Sequence, residues 1–324
     1  MKYLSVCSGI EAASCAWESL GWEAVGFSEI EPFPSAVLAH RYPGVKNYGD
    51  MTKYKEWNDV GKFDVLVGGT PCQSFSIAGL RKGLDDPRGN LMLVYGAMAD
   101  HFKPAWIVWE NVPGVLSSNG GRDFGSFLGM LGQLGYGVAY RVLDAQYFGV
   151  PQRRRRVFVV GYLGDWRRAA SVLFESHSLQ GNIAPVREKR EKASRDVAAC
   201  LRSGGNGGVP SSRGEHLVSA QCFEPRGTDS ISKCLTKGCA QRLDSETETF
   251  VTYEKPVSST VRRLTPKECE RLQGFPDDWT LIPWRGKIAT DGPRYKACGN
   301  SMAVPVMKWI GERINGFDTQ SKRV

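Results

Sequence analysis

The 324-residue chain contains no apolar run near the roughly 18 residues that a membrane-spanning helix needs. Nor does a basic, then apolar leader precede the strand-like segment that begins at Tyr3. A soluble, cytoplasmic protein with no membrane partner is expected. The Cys-x-x-Cys pair is also missing. Nine cysteines, at 7, 15, 72, 200, 222, 234, 239, 269 and 298, are odd in number and irregularly spaced, which points to reduced thiols and no metal rather than disulfide staples or a zinc ribbon. The Gly-x-Gly-x-x-Gly fingerprint of dinucleotide dehydrogenases is absent, and no internal repeat is found. With 41% hydrophobic residues against 37 Gly and 17 Pro, the chain is neither low-complexity nor disordered throughout.

Charge is present but unevenly placed. The net charge is +8, yet residues 1–150 carry 12 Lys and Arg against 15 Asp and Glu, whereas residues 151–263 carry 20 against 12. A basic block between near-neutral ends suits a polyanion-binding surface, because neutralised phosphates release counterions. A solvated basic face fits the same arithmetic.

Strand and helix patterns alternate through residue 163. Tyr3–Cys7, Ala24–Phe27, Val65–Val67, Trp106–Trp109, Val138–Leu143 and Val157–Val160 read as strands, and Glu11–Leu20, Leu91–Phe102 and Phe124–Leu134 as helices. Such alternation predicts a doubly wound, mostly parallel α/β sheet, with ligands outside the carboxyl ends of its strands. The rhythm lapses over 164–260, where Lys- and Arg-rich, Gly-rich and Ser/Thr-rich stretches predict a smaller inserted domain or a linker. Helical patterning resumes at Thr265–Leu272, with Pro266 in the first turn, and at Val304–Ile314. Three blocks follow: 1–163, 164–260 and 261–324.

Three segments carry groups able to do chemistry. Gly-Gly-Thr-Pro leaves the Val65–Val67 strand and delivers Cys72 to the sheet edge, as a nucleophile or as an inert thiol. The Trp106–Trp109 strand runs into Glu110, a candidate acid or a solvent-facing strand end. Alternation along Arg153–Arg156 sends Arg154 and Arg156 one way and Arg153 and Arg155 the other, unless the run is simply a solvated face.

In order along the chain, Ser8-Gly9 with Glu29, Pro71-Cys72-Gln73, Glu110-Asn111-Val112, Gln152 to Arg156, RRLTPKECERLQGFPDDW at 262–279 and GNSMAVPV at 299–306 resemble the motifs of the DNA (cytosine-5) methyltransferases of bacteria and phages. The resemblance covers about 1–163 and 261–324. It implies a Rossmann-like methyltransferase domain with an inserted target-recognition domain at 164–260, and a final segment returning to the catalytic domain. The implied cofactor is S-adenosylmethionine, with S-adenosylhomocysteine as product. Ser8, Gly9, Ile10, Glu29, Ile30, Asp50, Met51, Pro71, Asn300 and Ser301 would line its site. One departure is Ser8-Gly9-Ile10-Glu11-Ala12-Ala13, less glycine-rich than the family's usual loop.

The implied partner is double-stranded DNA, bound by a monomer, with the target cytosine flipped out of the helix. Cys72 would add to C6, Glu110 would hold the N3 edge, and Arg154 and Arg156 would sit near base and thiolate. Gln73, Ser74, Arg187, Lys189, Arg190 and Lys192 would contact DNA. A tRNA cytosine-5 methyltransferase on the same scaffold, or a non-catalytic DNA-binding relative, are the other readings. The basic insertion favours duplex DNA over the first, and retention of Cys72 and Glu110 opposes the second.

Neutralising Arg187, Lys189, Arg190 and Lys192 together is expected to weaken DNA binding across sequences. It should flatten the salt dependence by about 0.9 slope unit for each phosphate that is no longer neutralised. Binding titrations at several salt concentrations check this; an unchanged slope places the grip elsewhere, nearer Arg202 to Arg242.

Overall fold

Continuous apolar runs belong in central strands covered on both faces, and β3 (Val65–Gly68) and β4 (Trp106–Asn111) meet that description, with Val65, Leu66, Val67, Ile107, Val108 and Trp109 all buried. The computed structural model describes residues 1–71, 91–175, 222–223, 250–255 and 258–321. Around β3 and β4 the strands β1 (Lys2–Val6), β2 (Glu23–Ser28), β5 (Tyr136–Asp144) and β6 (Arg155–Leu163) complete a six-stranded sheet in the order β2-β1-β3-β4-β6-β5. The first four positions in that order are mutually parallel, whereas β6 runs antiparallel to β4.

Register matters more than strand count here. Val6 lies beside both Ser28 and Gly68, and Gly68 lies beside Trp109, so β1, β2 and β3 end level with one another and with Trp109, two residues before the end of β4. Asn111 pairs with Val157, which brings Arg156 to the same edge from the opposite chain direction.

Helices cover the sheet: α1 (Ala12–Trp17), α2 (Pro32–Arg41), α3 (Leu91–Phe102), α4 (Arg122–Gln133) and α5 (Trp166–Leu173). Beneath α3 and α4, Tyr95, Met98, Phe127 and Leu131 pack with Leu66, Ile107, Trp109 and Val159. The Tyr95 hydroxyl lies 2.9 and 3.0 Å from the carbonyls of Leu66 and Val108, which satisfies a polar atom in the middle of the core.

The chain divides into two compact units, one made of Met1–Leu143, Arg155–Ile183 and Val306–Val324, the other of Asp144–Arg154 and Ala184–Pro305. These cuts differ from the sequence blocks. Helix α5 extends the strand-helix alternation past residue 163: Asp165 caps it by accepting from the Arg167 amide, and Ala169, Ala170, Val172 and Leu173 are buried. Residues 261–305 group with the second unit. There α6 (Pro266–Gln273) starts in a capping box between Thr265 and Glu268. The helix α7 (Asp291–Asn300) joins α6 through the buried pair Arg294 and Glu270, 3.1 Å apart, with Thr280 hydrogen-bonded to both. Two small sheets also belong to this unit. One holds β7 (Cys222–Phe223), β8 (Phe250–Lys255) and β9 (Ser258–Arg263), the other β10 (Pro283–Trp284) and β11 (Lys287–Ile288).

Of the last helix, α8 (Val304–Ser321), residues from Val306 onward belong to the first unit. The fully buried Trp17 donates its indole N–H to the Met307 carbonyl at 2.7 Å, and Trp22 reaches Asn315 at 3.2 Å. Arg313 donates to the carbonyls of Val172 and Phe174 at the end of α5. Among the described residues no helix is long and apolar enough to cross a membrane.

At Gly137 a Cβ would stand 2.1 Å from the Trp166 amide nitrogen and 2.4 Å from its Cα, both backbone atoms that cannot swing aside. Gly137→Ala is therefore expected to cost about 1–3 kcal/mol. Gly125 in α4 faces open space, so Gly125→Ala should gain roughly 0.5–1 kcal/mol. Thermal unfolding of the two variants should move in opposite directions.

Candidate active site

The level strand ends place Cys7, Glu29, Gly69 and Glu110 one residue beyond β1, β2, β3 and the paired end of β4 on a single edge. After β3 the chain does not leave freely. Trp109 donates its indole N–H to the Thr70 hydroxyl, and Asn111 donates its side-chain amide to the Thr70 carbonyl, each at 2.9 Å. Thr70 is buried and Pro71 is exposed. The peptide that leads to Cys72 is thus tied to the end of β4, a role for Thr70 and Asn111 that the sequence pattern does not reveal. Cys72, Gln73 and Ser74 lie outside the described residues, as do Arg187, Lys189, Arg190 and Lys192.

Glu110 and Arg156 come together: the Arg156 Nε is 3.0 Å from Glu110 Oε1, with side chains only 15% and 12% exposed. A charge pair this shielded is bonded far more firmly than a surface one. Arg154 follows the alternation read from sequence, being buried between exposed Arg153 and Arg155. Its guanidinium, however, is committed within the second unit, donating to the carbonyls of Gly299 at 3.1 Å and Ser301 at 2.6 Å. There it holds the end of α7, where Asn300 is exposed and Ser301 buried.

A second set of groups gathers at the ends of β1 and β2. Ser8 stitches the two strands: its amide donates to the Ser28 carbonyl, and its hydroxyl donates to the Ser5 carbonyl and accepts from the Ser28 amide. Gly9, at φ +57°, turns its amide onto Glu29 Oε2 at 2.8 Å, and a Cβ there would meet nothing within 4 Å. Glu29 Oε1 accepts from the Glu31 amide at 2.7 Å. Burial raises the Glu29 carboxyl above its ordinary value, opposed by those amides. Ile30, beside it, is 69% exposed. Asp50 accepts from the Thr52 amide at 2.9 Å. Met51 is buried with its sulfur 3.5 Å from Cys7 Sγ. Burial and then the charge of Glu29 push the Cys7 thiol up to about 12, so it is inert. Ile10 is fully buried, which leaves only its backbone for a ligand.

Glu11 explains how a glycine-poor loop still makes this turn. It sits at φ 65°, ψ 66°, a left-handed conformation that glycine adopts without strain and glutamate does not. Its carboxylate compensates by accepting from the Ser5 hydroxyl at 2.8 Å and from the Ser14 amide and hydroxyl at 3.1 Å, linking β1 to α1.

A mostly parallel α/β sheet with carboxylates, an open glycine turn and an ion pair along its carboxyl edge is the scaffold of an enzyme that takes its ligands at that edge. The fold is shared with the Dnmt2 methyltransferase of S. pombe, at TM-score 0.65 and 19% identity over 98% of this chain and 99% of that one. The model of the C-5 cytosine-specific DNA methylases matches residues 1–316. The chain belongs to that family, the DNA (cytosine-5) methyltransferases.

A protein of Escherichia phage P1, named DNA N-6-adenine-methyltransferase, is 38% identical over 99% of this chain, which spans 63% of that protein's length. The type II methyltransferase M2.BsuMI of Bacillus subtilis is 31% identical over 97% of this chain and 75% of its own length.

Burial raises the Glu11 carboxyl to about 7, partly offset by the hydrogen bonds from Ser5 and Ser14. An unfolded glutamate titrates near 4.3, so between those values the folded state holds a proton that the unfolded state has lost. Stability then falls as pH rises through that window and levels off above it, by about 3–4 kcal/mol in all. Denaturant unfolding of wild type and Glu11→Gln at pH 5 and pH 8 checks this: the variant should gain on wild type at the higher pH, and parallel curves would contradict it.

Proposed function

We propose that the chain methylates C5 of a cytosine extruded from a specific sequence in double-stranded DNA, through a transient bond between Cys72 and C6. The observation that carries this reading is the Glu110–Arg156 pair beside the anchored Thr70–Pro71 peptide, which leads straight to Cys72. C5 of cytosine is a weak nucleophile until C6 bears an adduct. Addition of the Cys72 thiolate to C6 pushes electron density to C5, with Glu110 holding the N3 edge and Arg156 holding Glu110. Once C5 has gained a methyl group, loss of its proton expels the thiolate and restores the ring. An exocyclic amine such as that of adenine would attack a methyl donor directly and would not need the thiol.

The residues around Gly9 fit S-adenosylmethionine, which when bound supplies an electrophilic methyl group on a sulfonium. Glu29 offers carboxylate acceptors for ribose hydroxyls, the exposed Ile30 an apolar shelf for adenine, and Asp50 an acceptor for its amino group. Ser8, Met51 and the open turn at Gly9 provide the wall and floor, Ile10 through its backbone. Pro71 stands at the same sheet edge, whereas Asn300 and Ser301 belong to the second unit. Arg154 acts through the turn at 299–301 rather than on the base, which makes it a positioning residue.

In this reading residues 1–163 with the final helix carry the chemistry. The basic stretch within 164–260, including Arg187, Lys189, Arg190 and Lys192, grips phosphates and reads base edges, while Gln73 and Ser74 flank the target. The enzyme works as a monomer on DNA in the cytoplasm of a bacterium or a phage-infected host.

Duplex DNA carrying 5-fluorocytosine cannot complete the final elimination, so wild type should form a denaturation-resistant complex with it in the presence of S-adenosylmethionine. Cys72→Ala should form none while still binding DNA, and Glu110→Gln should lower methyl transfer by about 10²–10⁴. A trapped complex with Cys72→Ala, or tritiated methyl appearing in tRNA and not in DNA, would overturn the proposal.

A further inference from the structure

Between the two acidic residues of the cofactor site lies a side chain that belongs to neither β2 nor the short helical turn at Met51–Glu56. Asn47 is exposed at the surface, yet its amide makes four hydrogen bonds. The Oδ1 atom accepts from the amides of Glu29 and Gly49, each at 3.0 Å. Its Nδ2 donates to the Glu29 carbonyl at 3.0 Å and to the Ser35 hydroxyl at 3.3 Å. Ser35 also donates to the Glu29 carbonyl, at 3.1 Å.

Asn47 therefore offers Glu29 the pair of hydrogen bonds that a neighbouring strand would, one residue after β2 has ended. The surrounding backbone is in register for this: Phe27 forms a parallel bridge with Asn47, donating to the Lys46 carbonyl and accepting from the Tyr48 amide. The same Oδ1 fixes Gly49, which is at φ +74° and directly precedes Asp50, and the Gly49 carbonyl is held at 2.6 Å by the Ser28 hydroxyl. Glu29 and Asp50 come from separate loops, and one amide holds the backbone of Glu29 and of Gly49, the residue before Asp50.

We propose that Asn47 is a positioning residue for the cofactor: by locking the main chain of Glu29 to that of Gly49, it sets the spacing of the two carboxylates that grip the adenosine. The inference rests on the cofactor assignment made under the proposed function. A turn-forming asparagine would need only the bond to Gly49, two residues on. The paired bonds to Glu29, 18 residues earlier, set Asn47 apart from that simpler role.

The test is equilibrium binding of S-adenosylmethionine to the full chain, with wild type, Asn47→Ala, Asn47→Asp, Glu29→Gln and the Asn47→Ala/Glu29→Gln double variant, and a KM against kcat comparison on DNA. Asn47→Ala should weaken cofactor binding about ten- to hundredfold, and its loss should fall on the cofactor KM rather than on kcat. Asn47→Asp keeps the acceptor for both amides but loses the donors, so it should fall between wild type and alanine. In the double variant the two losses should not multiply, because Asn47 acts through Glu29. Cofactor binding by Asn47→Ala within about twofold of wild type, or losses that multiply in the double variant, would overturn the inference. Should Asn47→Ala fail to fold, the graded order wild type, Asp, then Asn47→Ser carries the same decision. Wild type that binds no S-adenosylmethionine sinks the cofactor assignment itself, an outcome distinct from wild-type binding that Asn47 does not influence.

Discussion

Everything at the candidate site depends on strand register. Because Val6, Ser28, Gly68 and Trp109 lie level in neighbouring strands, the residues that follow them share one edge without any long loop to carry them there. A slip of one residue in β3 or β4 would move every side chain to the opposite face of the sheet, and because both faces are packed the core contacts on each would be lost. The core therefore specifies the site geometry indirectly: Leu66, Ile107 and Trp109 contribute apolar burial, and the position of Glu110 follows.

The two halves of the site are built differently. On the side of Glu110 the supports are buried and strong, an indole and a carboxamide both fixed on Thr70 and an ion pair shielded from water. Side chains supported in this way can be displaced very little. On the side of Glu29 the supports are backbone amides at strand ends, with Gly9 and Ile30 facing open space and solvent. Groups held in this way remain open to solvent.

Much of this was legible in the residues. Apolar runs marked every strand of the main sheet, and Leu91–Phe102 proved to be a helix with the bounds its periodicity predicts. What escaped was structure whose cause lies elsewhere in the chain. Helix α2 has no counterpart among the helices read from sequence; it opens with Pro32 and Pro34, which a first turn accepts because it has no amide bonds for proline to remove. Helix α7 carries Gly292, Pro293 and Gly299 and a weak apolar pattern, and is held by Arg294 against Glu270 rather than by its own propensity. At the site, Cys72 and Glu110 stood out by residue type. Asn47, Thr70 and Glu11 did not, because each matters through partners far away in sequence or through a backbone angle that no composition reveals.

The bond from Trp17 to Met307 also bears on how the protein is made. A ribosome releases residues 1–175 long before α8, and until then the Trp17 indole N–H has no Met307 carbonyl to meet. Closing the first unit joins segments 290 residues apart, a pairing of very high contact order that slows folding even though its entropic cost grows only logarithmically with length. The first unit is thus completed only after the chain of the second has been made. In newly synthesised chains β1 and α1 therefore wait, already made, for a helix that emerges only after the second unit.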